Sequence, residues 1–431
     1  MILTRTIFFY IILITFYSFS ANAQSIKLNH PISGALDVFA GTNGSQPFAT
    51  DAFQMSPDGQ RVVYWVRDFV TDEHSLHSVK NDGTDHAVLM PNFVNTDSLN
   101  RFEISPDSSR VVFSRDSGIY SVPITGGASI PLNASPLPDK DNFKVTLDSQ
   151  QVIYRNSSSH ISKVSITGST PVQVSSNQVN SFASFKLSPD GDHIVYSNRT
   201  PQSSRELYSI SLATNIETKI ALNLNNSGSL NDIVSVDTFE FTPDGNQIVF
   251  LASVNSLTRG LYSAPISGGN LSTIVSFGLS ANTNSFSMKI SPDGNHILYR
   301  VLSSNSSGIS YFPDKFELYH VPFGGGNITE IGLSINTRDF EFTPDSSRVI
   351  YSSAFVAIPD LEFPDIVFFR FKIYSTSLID GTSFALSEAV TNFFFEITAD
   401  GEKVVYIDSD AVFSMPTEGG NPIKLLSLIH I

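Results

Sequence analysis

The sequence contains no cysteine. That excludes a disulfide framework and any cysteine nucleophile, so the chain must draw its stability from packed secondary structure. Basic residues are also few: 26 Lys and Arg face 41 Asp and Glu, a formal charge of −15. This balance argues against nucleic acid and anionic membrane surfaces as partners, and suits solubility, cationic partners or divalent ions. Beyond the N-terminal stretch no apolar run approaches the roughly 20 residues of a spanning helix. A G-x-S-x-G elbow is missing, and no glycine-rich phosphate loop follows a strand and opens a helix. Neither a serine hydrolase nor a nucleotide enzyme is supported.

Residues 1–24 read as a signal peptide. Arg5 supplies the positive end, Ile7 to Phe16 the apolar core, and Ala21-Asn22-Ala23 a small-residue cleavage site. The mature chain is then expected in a bacterial periplasm or exterior, with no membrane insertion after cleavage.

The rest of the chain, residues 25–431, is organised around one stretch that recurs eight times. Its first clear copy, Phe53 to Tyr64, reads F-Q-M-S-P-D-G-Q-R-V-V-Y. The turn residue Asp58 returns as Asp107, Asp148, Asp190, Asp244, Asp293, Asp345 and Asp400, a mean period of about 49 residues. Such a period marks a solenoid or a propeller. Five residues before each Asp stands Phe (Met288 in one copy), and three before it another apolar residue, so both face one side of a strand. Ser/Thr-Pro-Asp-Gly then makes the turn: Pro presets φ, Asp bonds neighbouring backbone and Gly accepts the left-handed conformation. A three-residue hairpin with a bulge is predicted. Ser108, Ser149 and Ser346 replace the Gly; a left-handed Ser costs about 1 kcal/mol or more, so those turns are expected to relax differently.

Runs such as Val62-Val63-Tyr64 and Val404-Val405-Tyr406 follow, the pattern of a strand packed on both faces. A second hairpin turns at Gly126-Gly127, Gly268-Gly269, Gly324-Gly325-Gly326 or Gly419-Gly420. Each copy is therefore a four-stranded antiparallel sheet that buries its faces by stacking on its neighbours. The fold class expected is all-β, a single β-propeller domain of eight blades. Ile26-Lys27-Leu28-Asn29 and Pro422-Ile423-Lys424-Leu425 are both candidate outer strands, so either terminus could close the ring. Nothing recognisable follows the eighth copy.

The recurring [ST]-P-D-[GS]-x-x-[VI]-[VIL]-[YF], with [LI]-Y-S-[VIA]-[PS] after it, resembles the TolB-like, WD-repeat-like β-propellers of bacteria from about Phe39 to Leu425. The resemblance implies the propeller fold and says little of function. TolB carries an α/β domain and six blades, and neither is expected here. Related propellers cap prolyl-oligopeptidase-type peptidases, whose hydrolase half has no counterpart. Oligogalacturonate lyases hold a metal on several His and a Gln, a set that cannot be assigned in this chain.

The candidate residues fall into four groups. The eight turn Asp read as turn builders dispersed around a rim. The position four before each Asp reads Gln54, Glu103, Lys144, Lys186, Glu240, Lys289, Glu341 and Glu396; opposite signs in neighbouring copies suggest an inter-blade charge belt lining the channel. His193 and His296 sit three after the turn Asp, where other copies carry Arg, Gln or Lys, and His74, His77 and His86 form a local cluster. A solvated or structural role is the expectation for these His, although zinc is conceivable at the cluster. Asp408-Ser-Asp410 and Asp190-Gly-Asp192 match no complete calcium loop. The fourth group is the connection Ser352–Arg370, with Phe355, Leu361, Phe363 and Phe368 as a possible binding loop. No catalytic residue and no cofactor are expected, a divalent cation being compatible with the charge but unspecified. The favoured function is an exported, non-catalytic module binding a protein or glycan. The alternative is a carbohydrate-active lyase or glycosidase with carboxylates at the channel mouth.

Overall fold

In a computed structural model of the chain, the described residues are 36–38 and those from 53 to 427, apart from 69–72, 95–100, 117, 134–136, 138–141, 180–184, 200–204, 221–234, 255–257, 278–281, 303–314, 336–339, 360–366, 388–389, 391–394 and 409–410. The signal-peptide segment and Ile26 to Asn29 lie outside them. Every described element is a β-strand, and the strands form eight antiparallel sheets in chain order. This is the blade architecture of an eight-bladed β-propeller. Seven sheets have four strands in simple meander order; blade 1 has a fifth, Leu36–Val38. That strand pairs with the far end of Arg61–Asp68, beyond the stretch that pairs with Phe53–Met55. Blade 8 is built from contiguous chain, its fourth strand being Ile423–Ser427. Among the described residues no blade is shared between the termini.

The chain divides into two compact units. One, residues 1–198 with 210–217, holds blades 1 to 3; the other, residues 199–209 with 218–431, holds blades 5 to 8; the boundary runs through blade 4. In the first unit Leu89 of blade 1 packs with Phe102, Ile104 and Val111 of blade 2, and Val112 and Ile119 of blade 2 pack with Phe143 and Val152 of blade 3. Trp65 joins the first of these clusters, buried and edge-on to Phe102 at 6.3 Å. In the second unit Ile274 of blade 5 packs with Met288 and Ile297 of blade 6. Ile331 of blade 6 likewise meets Phe340 and Val349 of blade 7. Leu89, Ile274 and Ile331 each sit at a register shift between third and fourth strands. The extra residue turns an apolar side chain toward the next blade, which is what a β-bulge does.

The second strands are buried on both faces, as their unbroken apolar runs predict: Val62, Val63 and Tyr64 are all below 5% exposed. An aromatic at the end of that run stacks on the residue directly opposite it on the third strand. Examples are Phe113 on Tyr120, Tyr299 on Tyr319, Tyr351 on Tyr374 and Tyr406 on Phe413. Pairs of this kind contribute roughly 0.5–1.5 kcal/mol beyond the area they bury.

The turns correct two expectations. Ser56 N–H bonds the Arg61 carbonyl, so four residues rather than three lie between the last bonded pair. The cause is the Ser/Thr hydroxyl. Ser56 Oγ donates to Asp58 Oδ1 at 2.6 Å and accepts from Arg61 N at 2.9 Å, while Gln60 N–H donates to the same carboxylate at 3.0 Å. The extra residue is held by side chains. The second correction concerns Ser108, Ser149 and Ser346. They do not relax: their φ values of 60°, 60° and 61° resemble the 69° of Gly59. Each Ser hydroxyl accepts the backbone N–H of the turn Asp in the preceding blade: Asp58 to Ser108 at 3.0 Å, Asp107 to Ser149 at 2.9 Å, Asp293 to Ser346 at 3.1 Å. That bond offsets the left-handed strain. It also places consecutive turns in contact at these three junctions.

A test separates strain from bonding. Ser346→Ala keeps the strain and loses the bond, and is expected to destabilise by about 1 kcal/mol. Ser346→Gly loses both and should stay near wild type. Urea midpoints of the two variants in the opposite order would refute this account.

Candidate functional site

The structure sorts the candidate residues by what surrounds them. All eight turn aspartates spend Oδ1 on their own turn, accepting from a Ser or Thr hydroxyl two residues earlier. The Ser56 hydroxyl, then the Gln60 N–H, hold the Asp58 carboxyl below the usual range. For Asp293 burial acts upward, but the Ser291 hydroxyl and Asn295 N–H outweigh it and bring the value down to about 2. These are anchored carboxylates, not an acid/base array.

Of the residues four before the turn, neighbours of opposite sign meet in each unit. Glu103 Oε2 lies 3.8 Å from Lys144 Nζ, and Glu103 Oε1 accepts the Val145 N–H at 3.3 Å. Lys289 pairs with Glu341 and sits over the Phe340 ring at 5.9 Å. Gln54 instead donates to the Phe102 carbonyl at 3.5 Å. Lys186 and Glu240 belong to different units. Partly exposed pairs of this type contribute about 0.2–1 kcal/mol, too little to hold blades but enough to order side chains.

One concave site is built on this position. A cavity of about 470 Å³ in the second unit is lined by Glu341, Phe342, Pro344, Phe395, Glu396 and Ala399, among others. Its walls come from the first strands Phe340–Phe342 and Phe395–Ile397 and the turns that follow them. Ala399 stands where six other turns carry Pro. The turn of blade 8 lies against that of blade 7, for a Cβ on Gly401 would stand 3.0 Å from Pro344 Cδ. Glu341 and Glu396 are both exposed at this cleft, with apolar rings beside them. The arrangement suits a ligand that presents a cation on an apolar stem.

Among the described residues two pairs of histidines are in contact. His77 Nδ1 and His86 Nε2 are 2.9 Å apart in blade 1, and His77 Nε2 meets Ser75 Oγ at 2.7 Å. Burial, then the neighbouring His86, lowers His77 to about 4. His296 Nδ1 and His320 Nε2 are 2.9 Å apart in blade 6. The sequence pattern singled out His296 but not His320. The signal was present, since a third-strand Ser in blades 1, 2 and 7 aligns with His320 in blade 6. Among the described residues no group of three or more His, Cys, Asp or Glu is placed to hold a metal ion.

The aromatic-rich connection is corrected by the structure. Ser352–Arg370 is not chiefly a loop: the strands Arg348–Pro359 and Val367–Ser377 pair through it, from Tyr351↔Tyr374 to Pro359↔Val367. Phe355 and Phe368 lie on these strands, Phe355 at a register shift between Ala354 and Val356. Leu361 and Phe363 lie outside the described residues. The reason is composition, for β-branched and aromatic residues flank both sides and continue the ladder.

No family model matches the sequence, and no curated protein does either. Solved structures do. A eukaryotic initiation factor aligns over 86% of this chain and 87% of its own at 10% identity with a TM-score of 0.54. Dipeptidyl peptidase 4 of Porphyromonas gingivalis aligns over 88% of this chain and 60% of its own, at 14% identity and a TM-score of 0.52. TolB from Acinetobacter baumannii aligns over 74% of this chain and 77% of its own, at 14% identity and a TM-score of 0.30. No helix among the described residues is long and apolar enough to cross a membrane, which says nothing of β-barrels. At these identities the likeness establishes architecture and no activity: the chain has the β-propeller fold that its TolB-like repeat implied.

Proposed function

We propose that this chain is an exported, non-catalytic binding module, and that the cleft bordered by Glu341 and Glu396 is where it engages a protein partner through a basic side chain. The observation that carries the reading is the cleft itself, two exposed carboxylates set among Phe342, Phe395 and Pro344. Carboxylates beside apolar rings match a Lys or Arg head and its methylene stem. The formal charge of −15 favours approach of a basic partner. Export rests on the signal-peptide pattern of residues 1–24. The described Ser352–Arg370 hairpin strands remain a second candidate contact on the same unit.

The test is capture of partners from periplasmic extract by the mature chain, by Glu341→Gln/Glu396→Gln and by a deletion of 352–370. Affinity for the captured partner should fall about tenfold or more in the double variant, with the melting curve little changed because the pair lost is partly exposed. Equal capture by wild type and double variant would remove the cleft from the proposal. Two carboxylates at one cleft are also what a glycosidase or lyase requires. New reducing ends from an oligosaccharide panel, lost in the double variant, would favour that alternative.

A further inference from the structure

The first-strand position four before the turn Asp forms ion pairs of two kinds. Between blades 2 and 3 the pair is closed. Glu103 Oε1 accepts the Val145 N–H at 3.3 Å, while Oε2 lies 3.8 Å from Lys144 Nζ and 3.6 Å from Arg101 Nη2. The Glu103 side chain is only 23% exposed. Between blades 6 and 7 the pair stands open. The Glu341 side chain is 51% exposed, Lys289 Nζ donates to its Oε2, and among the described residues nothing donates to Oε1.

Glu341 also lines the cavity of about 470 Å³, together with Glu396 of the next blade. Lys289 is therefore a cation of the chain's own, seated on one of the two cleft carboxylates with the Phe340 ring 5.9 Å away. A carboxylate for the charge and a ring beside it are the features that the cleft offers a basic side chain from outside. We propose that Lys289 is a tethered placeholder: an arginine of the partner takes its place on Glu341, and this exchange sets the affinity of the cleft. The inference rests on the binding reading above and gives that site its ligand group and its regulation.

The exchange is physically easy. Both members of the pair are partly exposed, and such a pair changes an equilibrium constant by no more than about fivefold. Once released, the Lys289 ammonium returns to water while its methylene stem can stay along the Phe340 ring. A guanidinium brings what an ammonium lacks, a planar fork that bonds both oxygens of one carboxylate. Lys289 engages Oε2 alone, so an arginine gains a second bond at Oε1 where another lysine gains none.

The experiment is titration of the full mature chain with N-acetyl-arginine methylamide, read by ligand-observed NMR at low ionic strength. Lys289→Met keeps the stem and removes the charge, and is expected to bind the compound about two- to fivefold more tightly than wild type. Lys424→Met, an exposed lysine on the outer strand of blade 8, makes the same change in net charge and should leave affinity unchanged. On wild type, acetylation of the Lys289 amine by an N-hydroxysuccinimide ester, followed by mass spectrometry, should rise when the arginine compound is added, since the amine is then released. Equal affinity of wild type and Lys289→Met, with weaker binding by Glu396→Gln, would overturn the placeholder and leave the cleft standing. Tighter binding with unchanged acetylation would also overturn it, because Lys289 would then act from its place. Equal affinity for the lysine analogue would overturn the choice of arginine. No binding to any of these proteins would remove the cleft reading and this inference together.

Discussion

Phe340→Ala is expected to cost about 3–5 kcal/mol, the range for emptying a buried aromatic site. Phe340 is the first-strand aromatic of blade 7, has no exposed surface, and packs with Leu298 and Leu318 of blade 6 as well as Val349 and Tyr351 of its own blade. Truncation therefore opens a cavity between two sheets, and neither sheet can collapse into it without breaking its ladder. Lys289 over the ring loses its partner too, a smaller loss at an exposed site. The measurement is the shift of the guanidinium midpoint read by far-ultraviolet circular dichroism. A cost below about 1 kcal/mol would show that the aromatic position does not join the blades.

A second large effect is expected from adding one carbon. Gly260 lies on the third strand of blade 5, paired with Ala252 and Ser276. A Cβ there would stand 2.4 Å from the Val275 carbonyl oxygen and 3.1 Å from Tyr262 Oη. The nearer obstacle is backbone, which cannot swing aside, so Gly260→Ala must displace the bulged fourth strand. Overpacking of this kind costs about 1–3 kcal/mol and sometimes more. Gly324→Ala is the matched control, because its Cβ meets nothing within 4 Å and its φ is not left-handed. That variant should be neutral or slightly stabilising. Equal midpoints for the two variants would mean that the close approach at Gly260 is not real in solution.

The repeat was readable because its signals are local. Hydroxyl, Asp and Gly all act within six residues, and alternation names the buried face directly. What escaped was whatever joins residues a blade apart. Ser108 looked like a poor glycine because its partner, the Asp58 N–H, is 50 residues away. The cleft escaped the sequence because Glu341 and Glu396 are 55 residues apart, and only the structure puts both of their first strands at one cavity. Ser352–Arg370 contains two prolines, Pro359 and Pro364. The first ends a strand, where the lost N–H matters least. The central pair of Glu341 and Lys289 could be anticipated from alternating sign, whereas His320 could be found only by aligning third strands.

Trp65 is the one tryptophan in the chain, and it lies between blades 1 and 2. Intrinsic indole emission is therefore a local gauge, blind to the unit that contains the cleft and Phe340. If the two units melt at different denaturant concentrations, emission will follow one transition while circular dichroism follows both. The noncoincidence would be an internal readout of their thermodynamic independence, obtained without any label.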